Sequence, residues 1–355
     1  MSQTHALEGY LQCCLARAGA TLHDSASAPT ILRELAGSVL ASGEPTSWAR
    51  RPAITDDGTP IVLSWKADRE HDQHIRVLAE SGTLAMTVAE QIAYSLARLD
   101  RLLGALNWRS ASQAINTITA QALPANASVT QGWRGGIWLG ADVKADSSDT
   151  ELRMYLNLRS GEAVDRWRRL QIIVSTFASE SIHEWLSSWV EVTSTHALPV
   201  GLGVVVSDGA VKGIRAYLSV ESPSFDSIHR LTPGLMSEAY ATQRRACDTF
   251  KSRCGAMHTH GVTVGYDFVP GATQPRRVKV DICCHTLPLE LAPSLQLWID
   301  ELLQELRYEP FEFQEFLRTI QAFWKGSTVQ FVSLGFDAKD EHLTVYVKPN
   351  ASTRS

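Results

Sequence analysis

The chain has 355 residues, of which 44% are hydrophobic and 20% charged, with a formal net charge of −5 at pH 7. A chain of that length and composition can bury a large core. Its charge gives no global attraction to nucleic acid, so any anion site must be a local concentration of Arg and Lys. No apolar run reaches the roughly 20 residues of a transmembrane helix. The opening Met1 to His5 shows no basic-then-apolar leader pattern. The six cysteines, Cys13, Cys14, Cys247, Cys254, Cys283 and Cys284, contain no Cys-x-x-Cys and suggest no disulfide framework. These features predict a cytoplasmic protein with reduced thiols, no structural zinc, and no membrane or nucleic-acid partner.

In chain order, residues 1–50 read as two helices covering one end of the structure. Residues 60–65 alternate as a strand, and 74–80 as its partner. Thr87 starts a helix, with Glu90 three residues on as a capping box and Val88, Ile92, Leu99 and Leu103 on one face. Strands follow over 137–144 and 151–157, then helical periodicity over 161–190. Strands over 202–207 and 213–219 are joined through Asp208-Gly209, a hairpin signal. Helical periodicity returns over 227–253. Strands over 262–268 and 277–283 are joined through Pro270-Gly271. Ser294 reads as the N-cap of a helix that places Leu295, Trp298, Ile299, Leu302, Leu303 and Leu306 on one face. A further helix is predicted over 309–324, then a last hairpin, 329–336 with 342–348.

The second strands of the hairpins share a pattern. Each alternates apolar and polar residues with period two, as a half-buried strand does. The central polar residues are Arg153, Arg215, Lys279 and Thr344, spaced 62, 64 and 65 residues apart, and two residues beyond them come Tyr155, Tyr217, Asp281 and Tyr346. Arg76 takes the equivalent place in the first, more divergent unit. The fold class is therefore α+β: five strand–strand–helix units, with apolar strand faces turned to helices. An open sheet would expose the polar face to water. A closed ten-stranded barrel would turn it into a lumen and remove the sheet edges, and recurrence of the cation-x-Tyr pair favours the lumen.

Such a lumen suits a diphosphate. Arg offers paired hydrogen bonds to phosphate and Lys a point charge, so Arg76, Arg153, Arg215 and Lys279 could do the work often given to magnesium. No Asp-Asp-x-x-Asp metal motif occurs. Tyr155, Tyr217 and Tyr346 suit the other half of the chemistry, because aromatic faces stabilise a carbocation and exclude water.

These residues, with Asp57 to Trp65, Ile75-Arg76-Val77, Asp142-Val143-Lys144 and Leu343 to Pro349, resemble the dimethylallyltryptophan synthase family of aromatic prenyltransferases. The resemblance covers roughly residues 55–349. It implies one domain over 1–355: N-terminal helices over 1–50, then barrel repeats over 55–349 in the αββα arrangement called the PT barrel. It implies metal-independent transfer of a prenyl group, usually from dimethylallyl diphosphate as co-substrate with no cofactor, to an indole or tryptophan-type small molecule. By resemblance Arg76, Arg153, Arg215 and Lys279 hold the diphosphate, Tyr155, Tyr217 and Tyr346 form the shield, and Lys144 is the proton acceptor. Three positions depart from the pattern. Val62 stands where indole-acting members carry the Glu of Gly-x-Pro-x-Glu. Asp281 replaces a Tyr, and Gly213 falls where a further Arg is common. Val62 and Asp281 would meet the acceptor, with Glu80 or Asp281 as substitutes for the missing Glu.

Other readings stay open. The acceptor could be a phenol, a phenazine or a peptide side chain, and the barrel could bind a hydrophobic anion without turnover. The protein could act as a monomer or a homodimer. His258 with His260, and His285 beside Cys283-Cys284, have ambiguous metal-like spacing. Cys247 and Cys254 read as core. Trp65, Trp138 or Trp324 could touch a bound aromatic, and Arg166 to Arg169 read as a solvated helix face around a buried Trp167.

Overall fold

The computed structural model describes residues 61–67, 75–80, 86–123, 136–143, 150–179, 181–232, 237–255, 261–285, 287–323, 326–337 and 341–348, together with Ile31, Glu34 and Leu35. The strands are β1 (Ile61–Ala67), β2 (Ile75–Glu80), β3 (Ile137–Val143), β4 (Glu151–Asn157), β5 (Ala197–Ser207), β6 (Ala210–Val220), β7 (Val262–Phe268), β8 (Arg277–Cys283), β9 (Thr328–Asp337) and β10 (Glu341–Lys348). Each pairs antiparallel with its sequence neighbours. Leu63 of β1 faces Val347 of β10, which closes the barrel.

The helices are α1 (Val88–Ala105), α2 (Ser112–Ala122), α3 (Ala163–Phe177), α4 (Ile182–Thr193), α5 (Phe225–Leu231), α6 (Ser237–Cys254), α7 (Ala292–Glu305) and α8 (Pro310–Phe323). They cover the outside of the barrel, where most of the core lies. In β4, Leu152, Met154 and Leu156 point outward and are buried; Thr119 of α2 reaches the Met154 sulfur. Tyr266 of β7 meets Trp189 of α4 edge-on at 4.8 Å, and Trp65 of β1 packs at 5.5 Å against Phe313 of α8. Each fully buried Leu, Ile or Phe contributes about 1.5–3 kcal/mol. This outer layer is what holds the opposite, polar strand faces inward.

The alternating strands and the hairpin turns form as the sequence predicts. Asp208 and Gly209 both have positive φ, 49° and 71°, as a two-residue turn twisted to match its strands requires. Thr87 and Glu90 form the capping box.

Helix boundaries differ in several places. α7 begins at Ala292, so Ser294 lies inside the first turn and caps nothing. Pro293, whose fixed φ suits the first turn, starts the helix early behind a short 3-10 turn over Leu289–Leu291. The periodicity over 161–190 is two helices, parted after Phe177 where Ala178 leaves helical geometry (φ −78°, ψ −94°). The region 227–253 is also two helices. Ser224 caps the first of them, α5, through a capping box with Ser227. α2, which buries Ile115, Ile118, Thr119 and Ala122, was not foreseen. β5 starts at Ala197, five residues early, and continues through an irregularity at Pro199 to Gly201. Of the helices expected over 1–50, Ile31, Glu34 and Leu35 are described and are helical, and the rest lies outside the described residues. Cys247 and Cys254 are buried core residues. Trp167 is buried too, beside the hydrogen-bonded Arg166 and Arg169. Among the described residues no helix is long and apolar enough to cross a membrane.

Candidate active site

The inward faces of β2, β4, β6, β8 and β10 bring together Arg76, Arg153, Arg215, Lys279 and Tyr346, which line one cavity of about 360 Å³. Eight Lys and Arg side chains line it against three carboxylates, Asp142, Glu151 and Asp267. A chain of net charge −5 thus concentrates positive charge at one end of its lumen.

Every one of the four predicted cations is matched to a carboxylate. Arg76 donates from two nitrogens to Asp142, one at 2.7 Å, and from Nη1 to the Tyr346 hydroxyl at 3.3 Å. Arg153 Nη2 donates to the same Asp142 at 2.9 Å and to Glu151 at 2.6 Å. Arg215 grips Asp267 through two nitrogens. Lys279 Nζ lies 2.9 Å from Asp281, which also accepts from the hydroxyls of Thr263 and Ser333. The ladder sets these pairs: Asp142 lies opposite Arg76, and Asp267 opposite Arg215.

The electrostatics follow from burial and pairing. Burial alone would raise the Asp142 pKa, but the guanidinium groups of Arg153 and Arg76 outweigh it and hold the carboxyl well below the usual range. Asp267 is lowered in the same way, burial opposing and Arg215 prevailing. Burial disfavours charge on Arg76, Arg215 and Lys279, yet Asp142, Asp267 and Asp281 respectively raise all three above their ordinary values. All four cations stay charged at any working pH.

Space for them comes from glycines. Gly140 lies opposite Arg153, Gly203 opposite Arg215 and Tyr155, Gly265 opposite Lys279 and Tyr217, and Gly335 opposite Lys279. A Cβ on Gly265 would stand 3.0 Å from Lys279 Cγ and 3.3 Å from Arg215 Cδ.

Beyond the cations lies a second cavity of about 420 Å³, which shares Lys279 and Tyr346 with the first. Its wall includes Tyr155, Tyr217, Val62, Leu78, Trp138 and Phe331. Tyr155 and Tyr217 stand 6.2 Å apart between the two regions. Burial first, then Tyr217, raises the Tyr155 hydroxyl pKa despite the nearby arginines. Tyr346 goes the other way: burial opposes, but Lys279 and Arg76 lower it. The lumen therefore grades from cations, through tyrosines, to an apolar chamber.

The structure brings Arg76, Arg153, Arg215, Lys279, Tyr155, Tyr217 and Tyr346 together, with Val62 and Asp281 on the chamber wall and Thr344 at the polar end. Trp138 lines the chamber, whereas Trp65 faces α8 outside the lumen. Glu80 is buried opposite Trp138. Lys144, His258, His260 and Trp324 lie outside the described residues. The sequence reading missed the roles of Asp142, Glu151 and Asp267 and of the four glycines. Their signal was available: Gly140, Gly203, Gly265 and Gly335 put a glycine on the first strand of each of the last four hairpins, and Asp142 and Asp267 each lie two residues beyond one of them.

No family model and no curated protein matches the chain by sequence. In three dimensions it is similar to a 6-dimethylallyltryptophan synthase from Micromonospora olivasterospora in complex with DMASPP and Trp, with a TM-score of 0.77 and 14% identity, over 99% of this chain and 98% of that one. It is similar to a 5-dimethylallyl tryptophan synthase from Streptomyces coelicolor, also with DMASPP and Trp, with a TM-score of 0.79 and 14% identity over 99% and 96% of the two chains. AnaPT from Neosartorya fischeri matches with a TM-score of 0.73 and 13% identity over 98% and 93%. The chain therefore has the fold of the dimethylallyltryptophan synthases, a closed ten-stranded antiparallel barrel ringed by helices.

Proposed function

We propose that the chain is an aromatic prenyltransferase that moves an allylic group, dimethylallyl first among the candidates, from its diphosphate to an aromatic small molecule without a metal ion. The observation that carries this reading is the grading of one closed lumen from four paired cations, through a tyrosine layer, to an apolar chamber. Proteins of the same fold solved with DMASPP and Trp support it.

In this reading the diphosphate lies among Arg76, Arg153, Arg215 and Lys279, taking hydrogen bonds that Asp142 and Asp267 accept in its absence. The cations stabilise the charge that develops as the allylic C–O bond breaks. Tyr155, Tyr217 and Tyr346 turn ring faces and hydroxyls toward the allylic cation and keep water away. The acceptor ring occupies the apolar chamber and attacks.

The acceptor class is an indole or tryptophan-type molecule, with one observation favouring a phenol or another ring. Val62 and Leu78 pair across β1 and β2 and make an apolar wall where a carboxylate would be needed to hold an indole N–H. Asp281 is the carboxylate on the described chamber wall, and Lys279, Thr263 and Ser333 already engage it.

The test is to incubate the purified protein with dimethylallyl diphosphate, EDTA and a panel of tryptophan, indoles, cyclic dipeptides, tyrosine and phenols. A prenyl mass added to one acceptor, and lost in Arg153→Ala and Arg215→Ala, is the expected result. Diphosphate binding with no product from any donor or acceptor would instead make the protein a binding barrel for a hydrophobic anion.

A further inference from the structure

β8 breaks the pattern of its sister strands. Its inward row reads Lys279, Asp281, Cys283, and the chain continues to His285 just past the strand end. Both Cys283 and His285 line the apolar chamber. Cys283 is 6% exposed, and its sulfur lies within hydrogen-bond reach of His285 Nδ1. The imidazole is half-buried and meets Phe331 edge-on at 6.0 Å; Phe331 in turn meets Tyr346 edge-on at 6.4 Å. An oriented imidazole thus stands in the compartment assigned to the acceptor, one ring away from the tyrosine layer.

Prenyl transfer to a ring carbon must end with loss of a proton. The acceptor carbon bonds to the allylic carbon as the allylic C–O pair leaves on diphosphate. The ring C–H pair then returns to the ring, and the proton needs a base. Among the described residues of the polar end the four cations stay protonated, Asp142 and Asp267 are held by them, and His342 stands on the diphosphate side, whereas His285 is the histidine that lines the acceptor chamber. Resting on the function proposed above, we propose that His285, positioned by Cys283, takes this proton in the acceptor chamber and passes it to solvent. The neutral pair can accept one proton whichever tautomer the imidazole holds, ending as thiol and imidazolium. Titration of the pair is set within a chamber that also contains Tyr155, Arg159, Tyr217, Lys279, Asp281 and Tyr346.

The experiment compares wild type with His285→Gln, Cys283→Ser and Cys283→Ala on an active acceptor, using ring-deuterated and ordinary acceptor across pH 5 to 9. Binding of inorganic diphosphate is measured in parallel. The expected result for His285→Gln is a fall in kcat of roughly 100-fold, a new isotope effect on ring deuteration, loss of the acidic limb of the pH profile and unchanged diphosphate binding. Cys283→Ser should keep most of the rate, because a hydroxyl can still hold Nδ1, and Cys283→Ala should keep less. Wild-type kcat without an isotope effect in His285→Gln overturns this inference alone. Loss of diphosphate binding alongside transfer also overturns it, since the residue then supports the fold. A wild type that transfers to no acceptor overturns both this inference and the proposed function.

Discussion

The ammonium of Lys279 stands 5.1 Å from the centre of the Tyr217 ring. It also stands 5.6 Å from that of Tyr346. Two of the three lumen tyrosines thus already offer their faces to a cation. A cation–π contact contributes about 0.5–2 kcal/mol, the upper end when desolvated. Tyr217→Leu is therefore expected to lower kcat roughly 10-fold while leaving diphosphate affinity near wild type. The same variant should raise the share of prenyl alcohol, formed by water capture, and chromatography of the products measures that ratio.

Asp142 accepts from both Arg76 and Arg153 and is 4% exposed. Removing one partner of a buried ion pair costs about 3–5 kcal/mol, because the other charge is left behind. Asp142→Asn should lose stability of that order in urea unfolding. Inorganic diphosphate should raise the midpoint of the variant more than that of wild type, since the ligand then meets two guanidinium groups with no competing carboxylate.

That deficit should depend on pH. The folded pKa of Asp142 lies below its unfolded value, about 3.9. Its contribution is therefore complete above about pH 5 and fades as pH falls toward the folded pKa. The stability gap between wild type and Asp142→Asn should be flat from about pH 5 to 8 and narrow below about pH 4. Unfolding curves at a series of pH values test the sign.

The lumen glycines separate into two kinds. A Cβ at Gly203 would make ordinary contacts, 3.4 Å from Tyr217 Cε2 and 3.5 Å from Arg215 Cβ; at Gly265 it would press on Lys279 at 3.0 Å. Gly203→Ala should stay within about 0.5 kcal/mol of wild type and keep diphosphate affinity. Gly265→Ala should cost about 1–3 kcal/mol and weaken diphosphate binding, because Lys279 and Arg215 must shift. Calorimetric titration with inorganic diphosphate separates the two.

The barrel was legible because its strands obey a strict period of two. Residues such as Leu152, Met154 and Leu156 need helices on one side, which leaves Arg153 and Tyr155 with only the other. The site was legible because that arrangement recurs at near-constant spacing. Helix ends were less so: Ser294 has the chemistry of a cap, but Pro293 decides where the helix begins. The carboxylates were missed for a related reason. Asp142 and Asp267 lie on the first strand of their hairpins, and the link from Asp142 to Arg76 crosses from one hairpin to another. The link from Asp267 to Arg215 crosses between hairpins in the same way. Only the register between hairpins makes those pairs, and alternation within one strand carries no information about it.

The pairing of β1 with β10 has a consequence for synthesis. The ring is sealed where Ser64 of the first strand lies opposite Tyr346 of the last, 282 residues further along the chain. While the chain is still emerging from the ribosome, the growing sheet keeps two unsatisfied borders, and the last border is covered only when β10 arrives. A product cut short before that point would not be a smaller barrel. It would be a curved sheet with raw edges, open to pairing with its own kind.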